Sequence, residues 1–212
     1  HPDILVNRWT RQFGDARAIE LLRWNNTRPN LCVHPFHGRA TVESFIAQLA
    51  AKGIVAAAHP QAPGDFLVIP HGVRVEDLPG YAEGGFTIQD PATLQSIRLL
   101  DPQPGERVLD ACAAPGGKTV LIAERMEGRG QLVAMDAAPE RLVVLKENVA
   151  RLKLTNVNIV KGSASTVADL ERAASGALFD RILLDVPCTN TGGLRRRPDA
   201  RWRFAMTELR QI

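Results

Sequence analysis

The chain has little cysteine, no long apolar run and no large excess of charge of either sign. Its three cysteines, Cys32, Cys112 and Cys188, are odd in number and far apart. That argues against a disulfide framework and predicts a reducing, cytoplasmic setting. No stretch approaches the ~18–20 apolar residues of a membrane helix. The first residues do not follow the charged-then-apolar pattern of a secretory leader, so no membrane partner is expected. Lys plus Arg number 26 and Asp plus Glu 23, a net charge of +3, which excludes a histone-like polycation. With 45% hydrophobic and 23% charged residues among 212, the composition excludes a disordered chain. It suits one large domain or two small ones. The chain opens on His1 rather than Met, so it is expected to be part of a longer product.

The charge that is present is unevenly placed. Arg195 to Arg203 holds five arginines against Asp199, a local +4, and the remainder of the chain sums to −1. This concentration points to an anion-binding feature. Residues 1–88 read as an α+β region, with helices over 3–11 and 16–25 broken at Gly14. A further helix is capped by Thr41, with Val42, Phe45, Ile46 and Leu49 on one face and Gly53 as its stop. A short strand over 66–69 lies among Pro- and Gly-rich loops. His34, His37, His59 and His71 match no standard metal spacing and are expected as loop or surface histidines, with no metal. After residue 89 the pattern changes. A helix over 91–100 precedes strands at 107–110, 131–136, 157–160 and 179–185. Helices at 116–126 and 139–152 and a weaker one near 165–175 lie between them. This alternation predicts an α/β parallel sheet with its ligand at the carboxyl ends of the strands, where Asp110, Asp136 and Asp185 fall.

The turn after the first of these strands is Asp110-Ala111-Cys112-Ala113-Ala114-Pro115-Gly116-Gly117-Lys118-Thr119. Gly117-Lys118-Thr119 is similar to the end of a phosphate-binding P-loop. The glycine such a loop needs five residues before Gly117 is Cys112, and Pro115 and two alanines stiffen the rest. The competing reading is an adenosyl pocket in which Asp136 accepts from ribose hydroxyls; the bland alternative for both aspartates is helix capping. The last strand runs into Asp185-Val186-Pro187-Cys188. A reachable thiol beside a carboxylate suits attack on an electron-poor ring, against the alternative of an inert, half-buried cysteine. In the segment that follows, Arg195, Arg196, Arg197 and Arg201 interleave with Trp202 and Phe204. That pattern suits nucleic acid, against the alternative of a charged helix start with Trp202 packed inward.

The ordered set DACAAPGGKT at 110–119, DVPC at 185–188 and RRRPDARW at 195–202 resembles the Sun-type, RsmB-like RNA cytosine-C5 methyltransferases. His1-Pro2, Arg8-Trp9 and Asn25-Asn26 are similar to the segment before that family's catalytic domain. The arginine run resembles the bacterial small-subunit rRNA branch more than the tRNA branches. The resemblance implies a helical lead-in over 1–30, a small RRM-like α+β subdomain over 31–88, and over 89–212 the first four strands of a Rossmann-like class I methyltransferase domain, its sheet incomplete. It implies S-adenosylmethionine as cofactor, with Cys112, Ala113, Ala114, Pro115, Gly116, Gly117 and Lys118 along its methionine and ribose side. Asp136 is expected at the ribose hydroxyls, Ser163 at the adenine edge and Asp185 between cofactor and base.

In that family one cysteine attacks C6 of cytosine and a second, in the Pro-Cys motif, assists release of the product. Cys188 matches the second. Arg195, Arg196, Arg197, Arg201 and Trp202 are the expected RNA contacts, with 16S rRNA the expected substrate, tRNA the other option, and a monomer as the state. The chain departs from the pattern in two places. Ser163 follows Gly162 where the family usually has Asp, and the chain stops before the nucleophile motif. It is therefore expected to be an incomplete copy, inactive alone, with its fourth strand an exposed edge. The alternatives are a non-catalytic RNA-binding module, a P-loop triphosphatase, and a DNA cytosine methyltransferase in which the Pro-Cys thiol itself attacks.

Overall fold

The computed structural model describes residues 1–70 and 72–203, which form two compact units. One joins His1–Pro29 to the described residues from Val186 onward; the other is Asn30–Asp185.

In the first unit, α1 (Asp3–Phe13) ends at Gly14, whose φ of 79° only glycine adopts cheaply, and α2 (Asp15–Asn25) begins directly after it. Leu5 and Trp9 of α1 and Ala18 of α2 close over Leu194, all buried. Arg201 fastens the two stretches of chain together. Its guanidinium donates to Asn26 Oδ1 at 2.7 Å and to the Asn25 carbonyl at 3.1 Å, and the residue is 9% exposed. Arg201, expected among the surface contacts to RNA, is therefore turned inward, where these two bonds anchor it.

The second unit begins with an antiparallel sheet of β1 (Leu31–Pro35), β2 (Ala57–Ala58), β3 (Leu67–Ile69) and β4 (Phe86–Ile88), in the order β2-β3-β1-β4. Helix α3 (Val42–Ala50) starts in a reciprocal capping box. The Thr41 hydroxyl accepts the Ser44 N–H at 3.2 Å, and the Ser44 hydroxyl accepts the Thr41 N–H at 2.9 Å. Its apolar face, Val42, Phe45 and Leu49, packs on Val33, Leu67, Ile69 and Phe86. Strand β1 is buried on both faces, and His34, expected in a loop or at the surface, lies within it at 1% exposure. His34 Nδ1 is 2.7 Å from the Asp65 carbonyl, and Nε2 is 2.7 Å from a Glu124 carboxylate oxygen.

The parallel sheet follows as predicted: β5 (Arg107–Asp110), β6 (Gln131–Asp136), β7 (Val157–Lys161) and β8 (Arg181–Leu183), in the order β7-β6-β5-β8. The helices are α4 (Thr93–Leu100), α5 (Gly117–Arg125), α6 (Pro139–Arg151) and α7 (Val167–Ala174). Asp110 and Asp136 close their strands. β8 is shorter than expected, because its pairing with β5 ends at Asp110 opposite Leu183, so Asp185 stands beyond the strand. β8 is an edge among the described residues and leaves Ile182 and Leu184 exposed. Both sheets feed one core: Cys32 and Phe66 meet Leu94, Ile97, Val108, Leu121, Ile122 and Leu132.

The loop before β4 docks on the end of α6. Arg39 donates to the carbonyls of Gly84 and Leu152, and Arg151 donates to those of Tyr81 and Phe86, each at 3.1 Å. Gly84 combines a φ of 73° with a tight fit, since a Cβ there would lie 2.2 Å from the Arg151 carbonyl oxygen. Gly128 has φ 70° and nothing within 4 Å among the described residues. Gly128→Ala should therefore lose only the ~1–2 kcal/mol of left-handed strain. Gly84→Ala should lose about 1–3 kcal/mol more from overpacking. Urea unfolding of the two variants checks this; equal losses would contradict the docked packing.

Candidate functional site

The turn between β5 and α5 is folded back on its own strands. Ala111 N–H donates to the Leu183 carbonyl and Ala113 N–H to that of Met135, both at 2.9 Å. Gly116 N–H donates to Ala113 at 2.8 Å, and Ala114 N–H donates to Asp136 Oδ2 at 3.1 Å. A phosphate nest needs such amides free and pointing at the ligand. Here the amides of Ala111, Ala113, Ala114 and Gly116 are occupied, so this part of the turn does not form such a nest. Gly116 has φ 107°, and a Cβ on it would sit 2.8 Å from Leu145 Cδ1, so α6 presses directly on the turn. Arg141 donates to the Ala114 carbonyl, and Asn148 donates to that of Pro115 at 2.9 Å. Neither was singled out from the sequence. The available signal was their spacing with Leu145, which puts all three on one face of α6.

Two carboxylates flank this turn. Asp136 is 4% exposed. Its Oδ1 accepts the Ala138 N–H at 3.0 Å, its Oδ2 accepts Ala114, and Arg141 stands 3.6 Å away. An ionised carboxylate has about four acceptor sites, so these two amides leave room for hydroxyl donors. Asp110 is 1% exposed. Its Oδ2 accepts the Thr119 hydroxyl at 2.8 Å, and its Oδ1 has no hydrogen-bond partner among the described residues. Burial pushes its pKa up to about 6, only partly offset by Thr119, the Lys118 charge and the Cys112 amide. Burial and the neighbouring charges of Asp136, Asp110 and Asp185 also raise the Cys112 thiol, which disfavours the thiolate there.

Lys118, in the first turn of α5, reaches Asp185 Oδ2 at 2.6 Å and ties that acid to the turn. Gly117 lies against Gln89, to whose Nε2 a Cβ would come within 3.3 Å. Gln89 is buried, bonds Thr93 at 2.8 Å, and was not anticipated. Ser163 follows Gly162, whose N–H donates to the Asp136 carbonyl at 3.0 Å. The carboxylate missing at position 163 has a neighbour that the sequence did not reveal. Asp169 of α7 accepts the Ser163 N–H at 2.8 Å and pairs with Arg172; that amide and Arg172 hold its pKa below the usual range.

In the first unit, Cys188 is exposed, and its sulfur accepts the Asn190 N–H at 3.4 Å. The described part of this unit carries ten arginines against four acidic residues. Arg195 lies over the Trp24 ring at 3.8 Å and donates to the Arg28 carbonyl at 3.0 Å. Arg196 and Arg197 are exposed, and Trp202 is 72% exposed rather than packed inward. Trp24, 56% exposed, joins this surface without having been read from the sequence. Phe204 and His71 lie outside the described residues.

Asp110 has a measurable signature. Its folded pKa of about 6 lies above the ordinary 3.8, so the folded state holds a proton that the unfolded state has released. This contribution to stability is therefore present below about pH 4 and is lost as pH rises through about 6. Asp110→Asn removes the loss and should gain on the parent chain from pH 4 to pH 7 by up to about 3 kcal/mol. Thermal unfolding across that range checks this; a constant difference would contradict it.

A family model described as 16S rRNA methyltransferase RsmB/F matches residues 97–212, and one described as the RsmF/B-like ferredoxin-like domain matches residues 1–76. A Vibrio cholerae protein named ribosomal RNA small subunit methyltransferase B is 40% identical over 202 residues, covering 95% of this chain and 45% of its own length. A Serratia proteamaculans protein of the same name is 36% identical, with 95% and 46% covered. The solved methyltransferase homolog protein from Pyrococcus horikoshii superimposes with a TM-score of 0.76 at 29% identity, over 94% of this chain and 63% of that one. The chain thus spans about half the length of the curated relatives it matches. A Rossmann-like parallel sheet carrying the glycine turn, behind a ferredoxin-like region, accounts for both matches, and the chain belongs to the RsmB/F family of 16S rRNA methyltransferases.

Proposed function

We propose that this chain holds S-adenosylmethionine across the ends of β5 and β6 and serves methylation of cytosine C5 in small-subunit rRNA. One observation carries the reading: two buried carboxylates at the strand ends keep acceptor capacity beside the turn. The amides of Ala111, Ala113, Ala114 and Gly116 are occupied, whereas Asp136 keeps unused lone pairs and Asp110 has a buried oxygen without a donor among the described residues. Such carboxylates suit a ligand bearing hydroxyls and an ammonium group.

When bound, the cofactor supplies an electrophilic methyl group. Asp136 would hold the ribose hydroxyls. Asp110 and the Cys112–Lys118 turn would hold the amino-acid side, and Ser163 the adenine edge. Lys118 orients Asp185 toward the base. By the family mechanism, Cys188 assists loss of the C5 proton and release of the product. Arg195, Arg196, Arg197 and Trp202 suit RNA, since guanidinium groups meet phosphates and an exposed indole stacks on an unpaired base. Support for rRNA over other nucleic acids comes from the names of the bacterial relatives.

Calorimetry with S-adenosylhomocysteine should show binding to the 212-residue chain. Asp136→Asn should weaken it about tenfold or more, the value of a lost charge-assisted hydrogen bond. ATP with magnesium should not bind. Binding of ATP–magnesium with indifference to the adenosyl ligand would overturn the cofactor assignment.

The chemistry has its own test in a complete protein carrying these residues, supplied with labelled cofactor and small-subunit rRNA. Cys188→Ala should accumulate a covalent protein–RNA adduct on denaturing gels, and Cys112→Ala should not. Were Cys188 the attacking thiol, as in the DNA enzymes, its removal would abolish the adduct. An absence of cytosine methylation in the parent protein would identify a binding module instead.

A further inference from the structure

A second cluster of ligand-type side chains lies away from the turn. His34 of β1, His37 just after that strand and Glu124 of α5 each offer one ligand atom, and these atoms lie within 4.8 Å of one another. None of the three has a part in the proposed methyl transfer.

Three features go beyond proximity. His34 is fixed from behind: its Nδ1 stands 2.7 Å from the Asp65 carbonyl, which can only accept, so Nδ1 carries the proton. That is the outer contact typical of metal-bound imidazoles, and it directs Nε2 at Glu124. Glu124 is fixed as well. Its Oε1 accepts the His37 backbone N–H at 2.5 Å, which leaves Oε2 as the oxygen facing His34, at 2.7 Å. The His37 ring stands edge-on to that of His34, with centroids 5.3 Å apart, and its Nε2 is 3.8 Å from Asp65 Oδ1. Asp65 thus faces both histidines, one through its carbonyl and the other through its carboxylate.

The cluster also opens onto space. A cavity of about 440 Å³ is lined by Phe36, His37, Glu124, Lys153 and Asn156, among others. Two histidines and one carboxylate, with an open position toward a cavity, form a donor set that suits zinc.

We propose that His34, His37 and Glu124 form a binding site for a divalent transition metal, zinc by its donor chemistry, with a fourth position open to the cavity beside His37. Zinc would replace the proton shared by His34 Nε2 and Glu124 Oε2, and that proton would leave to solvent. Ligands at about 2.0–2.1 Å from a tetrahedral ion stand ~3.3 Å apart. The pair, now 2.7 Å apart, therefore needs to widen by about 0.6 Å, and the exposed His37 ring makes the larger movement. The ion would then tie β1 to α5, the helix that begins at the cofactor turn.

The test is zinc titration of the chelator-treated, desalted 212-residue chain by calorimetry, with cobalt as a spectroscopic probe. One equivalent should bind and raise the melting temperature. The cobalt spectrum should show tetrahedral ligand-field bands without thiolate charge transfer, which sets the site apart from the three cysteines. His37→Ala, at an exposed position, should fold normally and weaken binding about 10–100-fold. Glu124→Gln should do the same, and His59→Ala should change nothing. Absence of binding, binding undiminished in His37→Ala, or a thiolate band would each overturn the proposal.

Discussion

The geometry of the candidate site depends on one carboxylate. Asp136, at the end of β6, accepts the Ala114 N–H across the gap to the glycine turn and the Ala138 N–H at the approach to α6. These two bonds fix where the turn lies and where α6 begins. Arg141, Asn148 and Leu145 can then reach back onto the turn only because α6 starts there. Burial makes the arrangement rigid, since a charged group at 4% exposure cannot exchange its amide partners for water without cost. Asp136 and Asp110 keep acceptor capacity at the strand ends, and from it follows the kind of ligand the pocket suits.

The same logic of polar side chains with fixed partners recurs elsewhere. Arg201 joins two remote stretches of the first unit through Asn25 and Asn26. Arg39 and Arg151 hold the loop before β4 to the end of α6 by donating to carbonyls. His34 and Glu124 link β1 to α5 in the second unit. At Asp110 the pairing is incomplete: one of its buried carboxylate oxygens has no hydrogen-bond partner among the described residues, as is also true of single atoms of Asn25, Gln89, Asn156 and Arg201. What sets Asp110 apart is its place: its unpaired oxygen belongs to a buried carboxylate at the carboxyl end of β5, beside the glycine turn.

The parallel-sheet half was legible in the sequence because its strands are short apolar runs, its helices keep a 3.6-residue period, and its aspartates stand where runs end. Asp110 and Asp136 close β5 and β6 as the pattern implies. Strand β1 was not legible because it is covered on both faces and shows no alternation, so His34 passed for a loop residue. Arg201 and Trp202 illustrate a second limit. One position apart, they go to opposite environments, and charge density alone favoured the surface for the arginine. Arg141 and Asp169 act across gaps in sequence that no local motif spans. Gln89 and Trp24 acquire their meaning only from neighbours that folding brings up.

The central claim is that the unsatisfied oxygen of Asp110 belongs to the cofactor's place. The most direct measurement is the titration of the Asp110 carboxylate by carbon-detected NMR, with and without S-adenosylhomocysteine. The account predicts a midpoint near the value of about 6 in the free chain, moving down toward the ordinary carboxylate range when the ligand's ammonium and hydroxyl donors arrive. A ligand that saturates the chain and leaves that midpoint where it was would bind somewhere else, and the account of this pocket would be contradicted.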